Sequence, residues 1–111
     1  MNPQSVPATS ISELPEGAVL LDVREDDEWA AGHAPEALHI PMGEIAARLN
    51  ELPTDDDVYV VCRGGGRSAR VTAFLNDNGW NAVNVDGGMR SWQAAGRALT
   101  AESAEAEPTI I

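Results

Sequence analysis

Cys62 closes an apolar run, Val58-Tyr59-Val60-Val61, and leads straight into Arg63-Gly64-Gly65-Gly66-Arg67-Ser68. That order offers the chemistry of a thiol in a backbone cradle. The β-branched and aromatic run reads as a buried strand, and the glycines let the chain turn tightly enough to aim several N–H groups inward. Ser68 is placed to cap a helix over Ala69 to Asn76, whose unpaired first-turn N–H groups and dipole would add positive potential at the sulfur. These surroundings favour thiolate over thiol. The chain has no second cysteine, which excludes an internal disulfide and a thiolate zinc site of the usual kind. A single-cysteine nucleophile remains. The plainer alternative is a small buried hydrophobe ending a strand. It fits poorly with three consecutive glycines, whose ordering costs backbone entropy that close approach to a bound group would offset. A nucleotide-binding P-loop is excluded because it needs a lysine, and the chain has none.

The elements around the cysteine alternate in type. Ala18 to Val23, Ala37 to Ile40, Val58 to Cys62 and Ala82 to Val85 read as strands. Asp26 to Ala31, Gly43 to Leu52, Ser68 to Asn78 and Met89 to Ala95 read as helices. This is the pattern of an α/β fold, a mostly parallel sheet of four to five strands with helices on both faces. In such sheets ligands bind beyond the carboxyl ends of the strands, where Cys62 falls. At 111 residues with 43% hydrophobic content, the chain suffices for one core. Residues 1–10 and the acidic stretch 100–111, with Glu102, Glu105 and Glu107, read as weakly ordered flanks of a domain spanning 11–99.

Several motifs together resemble a known family. Cys62-Arg63-Gly64-Gly65-Gly66-Arg67-Ser68 is similar to the active-site loop of single-domain rhodaneses, Cys-x-x-Gly-x-Arg-Ser. Upstream, Asp22-Val23-Arg24, Glu28-Trp29, Gly32-His33 and His39-Ile40-Pro41 resemble the family's signature in order and spacing. Downstream, Gly87-Gly88, Trp92 and Gly96 match a further segment. Glu36 and Ala98 stand where the family often has Gly and Pro; neither touches the cysteine loop. The resemblance implies a rhodanese-like fold and a sulfurtransferase with a persulfide on Cys62. Thiosulfate would serve as donor, and cyanide or a thiol, including a protein thiol, as acceptor. It implies Gly64, Gly65, Gly66 and Ser68 as the substrate cradle, Arg63 and Arg67 as ligands of the donor's anionic group, and no metal or organic cofactor. Arg67 has a competing role, pairing with a scaffold carboxylate such as Glu28. Arg67 follows Cys62 by five residues, a shorter loop than that of related cysteine phosphatases. Arsenate reduction would call for that longer loop and a second cysteine. A module that docks a partner or senses persulfide without turnover is the alternative from another class.

Charge narrows the partners. A net charge of −11 argues against nucleic acid and anionic membrane surfaces. It also opposes an anionic donor, but salt screens that repulsion beyond about 10 Å, while the guanidinium groups act at contact. Arg70 and Arg90 are expected to form surface ion pairs. Asp22, Arg24, Glu28 and His33 read as scaffold, Trp29, Trp80 and Trp92 as packing aromatics, and His39 has no assigned role. A free thiol suits a reducing cytoplasm. The sequence has no membrane-length run and no signal-peptide pattern at Met1-Asn2-Pro3-Gln4-Ser5, and the expected state is a monomer or weak dimer.

Overall fold

The computed structural model describes residues 5–103 and 105–111. Five parallel strands form one sheet: β1 (Ala8–Thr9), β2 (Val19–Asp22), β3 (Leu38–His39), β4 (Val58–Val61) and β5 (Ala82–Val85), in the spatial order β1-β5-β4-β2-β3. Helices α1 (Asp26–Ala31), α2 (Gly66–Asp77) and α3 (Gly88–Ala94) follow β2, β4 and β5. The expected α/β architecture is therefore present, with β4 at the centre of the sheet.

Strand alternation divides the core in two. Leu21, Val58, Val60 and Cys62 join Ile45, Val71 and Leu75 on one side. Leu20, Val61 and Val85 join Ile11, Met89 and Trp92 on the other. Because successive side chains on a strand point to opposite faces, both faces of β4 are apolar and both are covered. Its register with β2, Leu21 beside Val60 and Asp22 beside Val61, brings the ends of the two strands level. Asp22 and Cys62 thus emerge on the same edge.

Three expectations change. The helix expected over Gly43–Leu52 is two 3-10 segments, Met42–Ala47 and Leu49–Glu51, parted at Arg48. The Ile45 and Leu52 spacing suited an α-helix, but the chain turns through three-residue bonds, Arg48 N–H to the Ile45 carbonyl and Glu51 N–H to that of Arg48. Residues 1–4 lie outside the described residues, whereas Ala8 and Thr9 of the same supposedly loose stretch form β1 against β5. Two residues are too few to show alternation. Residues 100–103 and 105–111, of a stretch expected to be a flexible tail, lie along α1: Thr100 bridges His33, Thr109 N–H donates to the Ala31 carbonyl at 3.0 Å, and Ile110 packs on the second core cluster. Even one of the glutamates that made it look unanchored is tied down, since Glu102 N–H donates to the Ala30 carbonyl at 3.0 Å and its carboxylate accepts from Trp29 Nε1 at 2.9 Å.

Candidate active site

Cys62 follows the last residue of β4, and the chain then turns at Gly65, whose φ of +116° is left-handed, to start α2 at Gly66. That backbone conformation favours glycine. It aims the Gly65 N–H at the Cys62 sulfur, 3.0 Å away. Ser68, in the first turn of α2 and fully buried, donates its hydroxyl to the same sulfur at 3.3 Å. Ser68 is therefore not the helix cap expected from the sequence. Gly65 occupies that position, and the hydroxyl turns to the sulfur instead. Gly64 and Gly66 are exposed, and a Cβ on either would meet nothing within 4 Å, so these two glycines leave the approach to the loop open.

Opposing effects set the thiol's acidity. Burial pushes the Cys62 thiol up, but the Ser68 hydroxyl and the N–H groups of Ser68, Gly65 and Gly64 together outweigh it and hold the pKa below its ordinary value. Arg67 also interacts electrostatically with the Cys62 charge, but the hydrogen bonds are the larger causes.

Neighbouring elements fix the loop. The first turn of α3 donates from Met89 N–H to the Cys62 carbonyl at 2.8 Å and from Arg90 N–H to the Arg63 carbonyl at 3.0 Å. Gly88 allows this approach, since a Cβ there would overlap the Cys62 carbonyl oxygen. Beneath the turn, the Asn84 side-chain amide donates to the Gly65 carbonyl at 3.4 Å, and its own oxygen, buried, has no hydrogen-bond partner among the described residues. Sequence reasoning missed Asn84. The signal was present, since an amide between Val83 and Val85 on a buried strand demands a polar neighbour.

Arg67 takes the second of the two roles the sequence left open. Its two terminal nitrogens donate to the Glu28 carboxylate at 2.7 and 2.9 Å. Glu28 also closes the capping box of α1, accepting from Glu25 N–H at 3.0 Å. The Arg67 hydrogen bonds, opposed by burial and reinforced by that N–H, lower the Glu28 pKa to about 2. Behind this clamp, Arg24 and Asp22 form a fully buried pair at 2.8 Å, and Arg24 reaches on to the Gly32 carbonyl at 2.7 Å. Trp29 stacks between His33 at 3.6 Å and His39 at 4.6 Å. His39 gains a role in this way, and its Nε2 donates to the Arg24 carbonyl at 2.8 Å.

The other arginines differ in their partners. Arg63 is exposed and donates its Nε to the Ile111 carbonyl at 3.1 Å. Arg70 and Arg90, expected in surface ion pairs, form none among the described residues, whereas Arg48 pairs with both Glu44 and Glu51. No group of three or more potential metal ligands occurs among the described residues, and none of the described helices is long and apolar enough to cross a membrane.

Comparison with known proteins agrees with this geometry. The model of the rhodanese-like domain matches residues 8–95. YtwF of Bacillus subtilis, provisionally named a sulfurtransferase, is 43% identical over 81 residues, covering 73% of this chain and 79% of that one. A protein of Allochromatium vinosum named sulfurtransferase is 39% identical over 87 residues, 78% of this chain and 81% of its own. The crystal structure of a rhodanese-like domain protein from Staphylococcus aureus superimposes with a TM-score of 0.79 at 38% identity, covering 87% of this chain and 99% of that one.

Two outcomes follow from the site. The folded pKa of Glu28 lies below its reference value of 4.5, so the clamp's stabilisation is complete above that pH and is lost as pH falls toward about 2. Melting temperatures of wild type and Arg67→Gln should differ at neutral pH and converge in acid; parallel curves would show that the pair contributes nothing. Ser68→Ala removes a hydrogen bond to a charged group, worth about 1.5–3 kcal/mol. The Cys62 pKa should therefore rise. Alkylation rate against pH reads this directly, and an unmoved inflection would leave the amides as the whole of the effect.

Proposed function

The chain belongs to the rhodanese-like domain family, and from that premise we propose that it is a sulfurtransferase that carries a sulfane sulfur on Cys62 between a donor such as thiosulfate and a thiophilic acceptor. The observation that carries the proposal is the convergence of the Gly65 N–H and the Ser68 hydroxyl on one buried sulfur. Donors aimed at that point favour an anion there.

In the first step the Cys62 thiolate attacks the outer sulfur of thiosulfate. A new S–S bond forms, the sulfur–sulfur bond of the donor breaks, and its electron pair leaves with sulfite. Cys62 becomes a persulfide. In the second step an acceptor, cyanide or a thiolate, takes the outer sulfur and returns the electron pair of the persulfide bond to Cys62. The loop N–H groups then hold negative charge in every state, a preorganised arrangement of the oxyanion type. Arg63, exposed at the loop with its outer nitrogens unbound, would take the anionic end of the donor together with the amides of residues 64–66. Arg67, with both terminal nitrogens on Glu28, acts as a positioning residue that ties the start of α2 to α1. Neither step draws on a metal or an organic cofactor.

Intact-mass measurement tests this reading. Thiosulfate should add one sulfur atom to the reduced protein, Cys62→Ser should add none, and cyanide should remove the sulfur with formation of thiocyanate. If neither thiosulfate nor 3-mercaptopyruvate yields an adduct, the chain is a docking module and not a transferase.

A further inference from the structure

Between α2 and the 3-10 segment Met42–Ala47 lies a groove of about 170 Å³, lined by Met42, Ile45, Ala46, Arg70, Val71 and Phe74. We propose that it docks the sulfur acceptor, a protein thiol carried on a segment with one apolar side chain and one carboxylate near the cysteine. The inference rests on the sulfur-transfer reading above.

The groove lies along the helix that follows the reactive loop. Val71 packs in the same core cluster as Cys62. Arg70 and Phe74 follow Ser68 by two and six residues on one helix; at about 1.5 Å per residue they stand roughly 3 and 9 Å along its axis from the residue that donates to the sulfur. A segment whose thiol reaches Cys62 would therefore lay its neighbouring residues along α2. Apolar side chains make up most of the lining, and Met42 and Phe74 remain 36% and 38% exposed in a chain that buries most of its large apolar residues. Methionine adapts to the shape of whatever packs on it. Cyanide needs no such wall, whereas an apolar side chain does.

Charge specifies the rest of the occupant. Arg70 is exposed and has no carboxylate partner among the described residues, although the chain carries 18 Asp and Glu. A carboxylate on the incoming segment completes that contact, and the guanidinium plane suits it. Transfer is then an exchange between sulfurs. The acceptor thiolate attacks the outer sulfur, its S–S bond forms as the Cys62 S–S bond breaks, and Cys62 is released as thiolate. The acceptor's proton goes to solvent.

The test uses protein loaded with sulfur by thiosulfate and four acceptors: cyanide, and three short cysteine peptides alike except that one carries Leu and Glu beside the cysteine, one Leu and Lys, and one Ser and Glu. The Leu–Glu peptide should remove sulfur about tenfold faster than either other peptide. Phe74→Ser should erase the advantage of Leu over Ser while leaving discharge by cyanide unchanged, and Arg70→Glu should reverse the preference between Glu and Lys. If cyanide discharges the loaded protein but the three peptides react alike, or if neither variant alters their order, the groove is not the acceptor site. Failure to load sulfur at all would instead overturn the transferase reading.

Discussion

Everything in this fold that bears on function serves a balance at one atom. The Cys62 sulfur is buried, and burial disfavours charge; hydrogen bonds from the loop N–H groups and the Ser68 hydroxyl favour it and prevail. Such donors are effective only if they are already aimed, because amides free to reorient in water would solvate the anion no better than water does. The architecture around the loop is therefore best understood as a means of holding a few N–H groups still.

That constraint is met from three directions. From below, Asn84 on β5 holds the Gly65 carbonyl. From the side, the first turn of α3 binds the carbonyls of Cys62 and Arg63, and the absence of a side chain at Gly88 lets it come close enough. From across the sheet edge, Glu28 holds Arg67 at the start of α2, while α1 itself is anchored by the buried Asp22–Arg24 pair. A buried ion pair of this kind adds little net stability, but losing one partner leaves an uncompensated charge, so it fixes an arrangement strongly. The parallel register of β2 and β4 supplies the frame, because it ends both strands at one edge.

Much of this was legible in the sequence, for identifiable reasons. The uninterrupted apolar run from Val58 to Val61 marked a central strand, since only a strand covered on both faces tolerates apolar residues at every position. The cysteine and glycines after it marked the cradle. What escaped depended on contacts between distant segments. Ser68 resembled a cap because serine prefers that place, yet Gly65 in the left-handed region took the position and freed the hydroxyl for the sulfur. For Arg67 the sequence left two roles open, the donor's anion or a scaffold carboxylate such as Glu28, and only the packing of α1 across the strand ends shows it bound to Glu28. Asn84, 22 residues beyond Cys62, meets the loop solely because β5 lies beside β4.

The central claim is that the hydrogen bonds defeat desolvation at Cys62. The absorbance of the thiolate, followed across pH in the folded, reduced protein with Cys62→Ser as the blank, tests it most directly. An inflection below that of a free cysteine, about 8.5, is expected; an inflection at or above that value would mean that burial prevails and that the loop does not stabilise the anion.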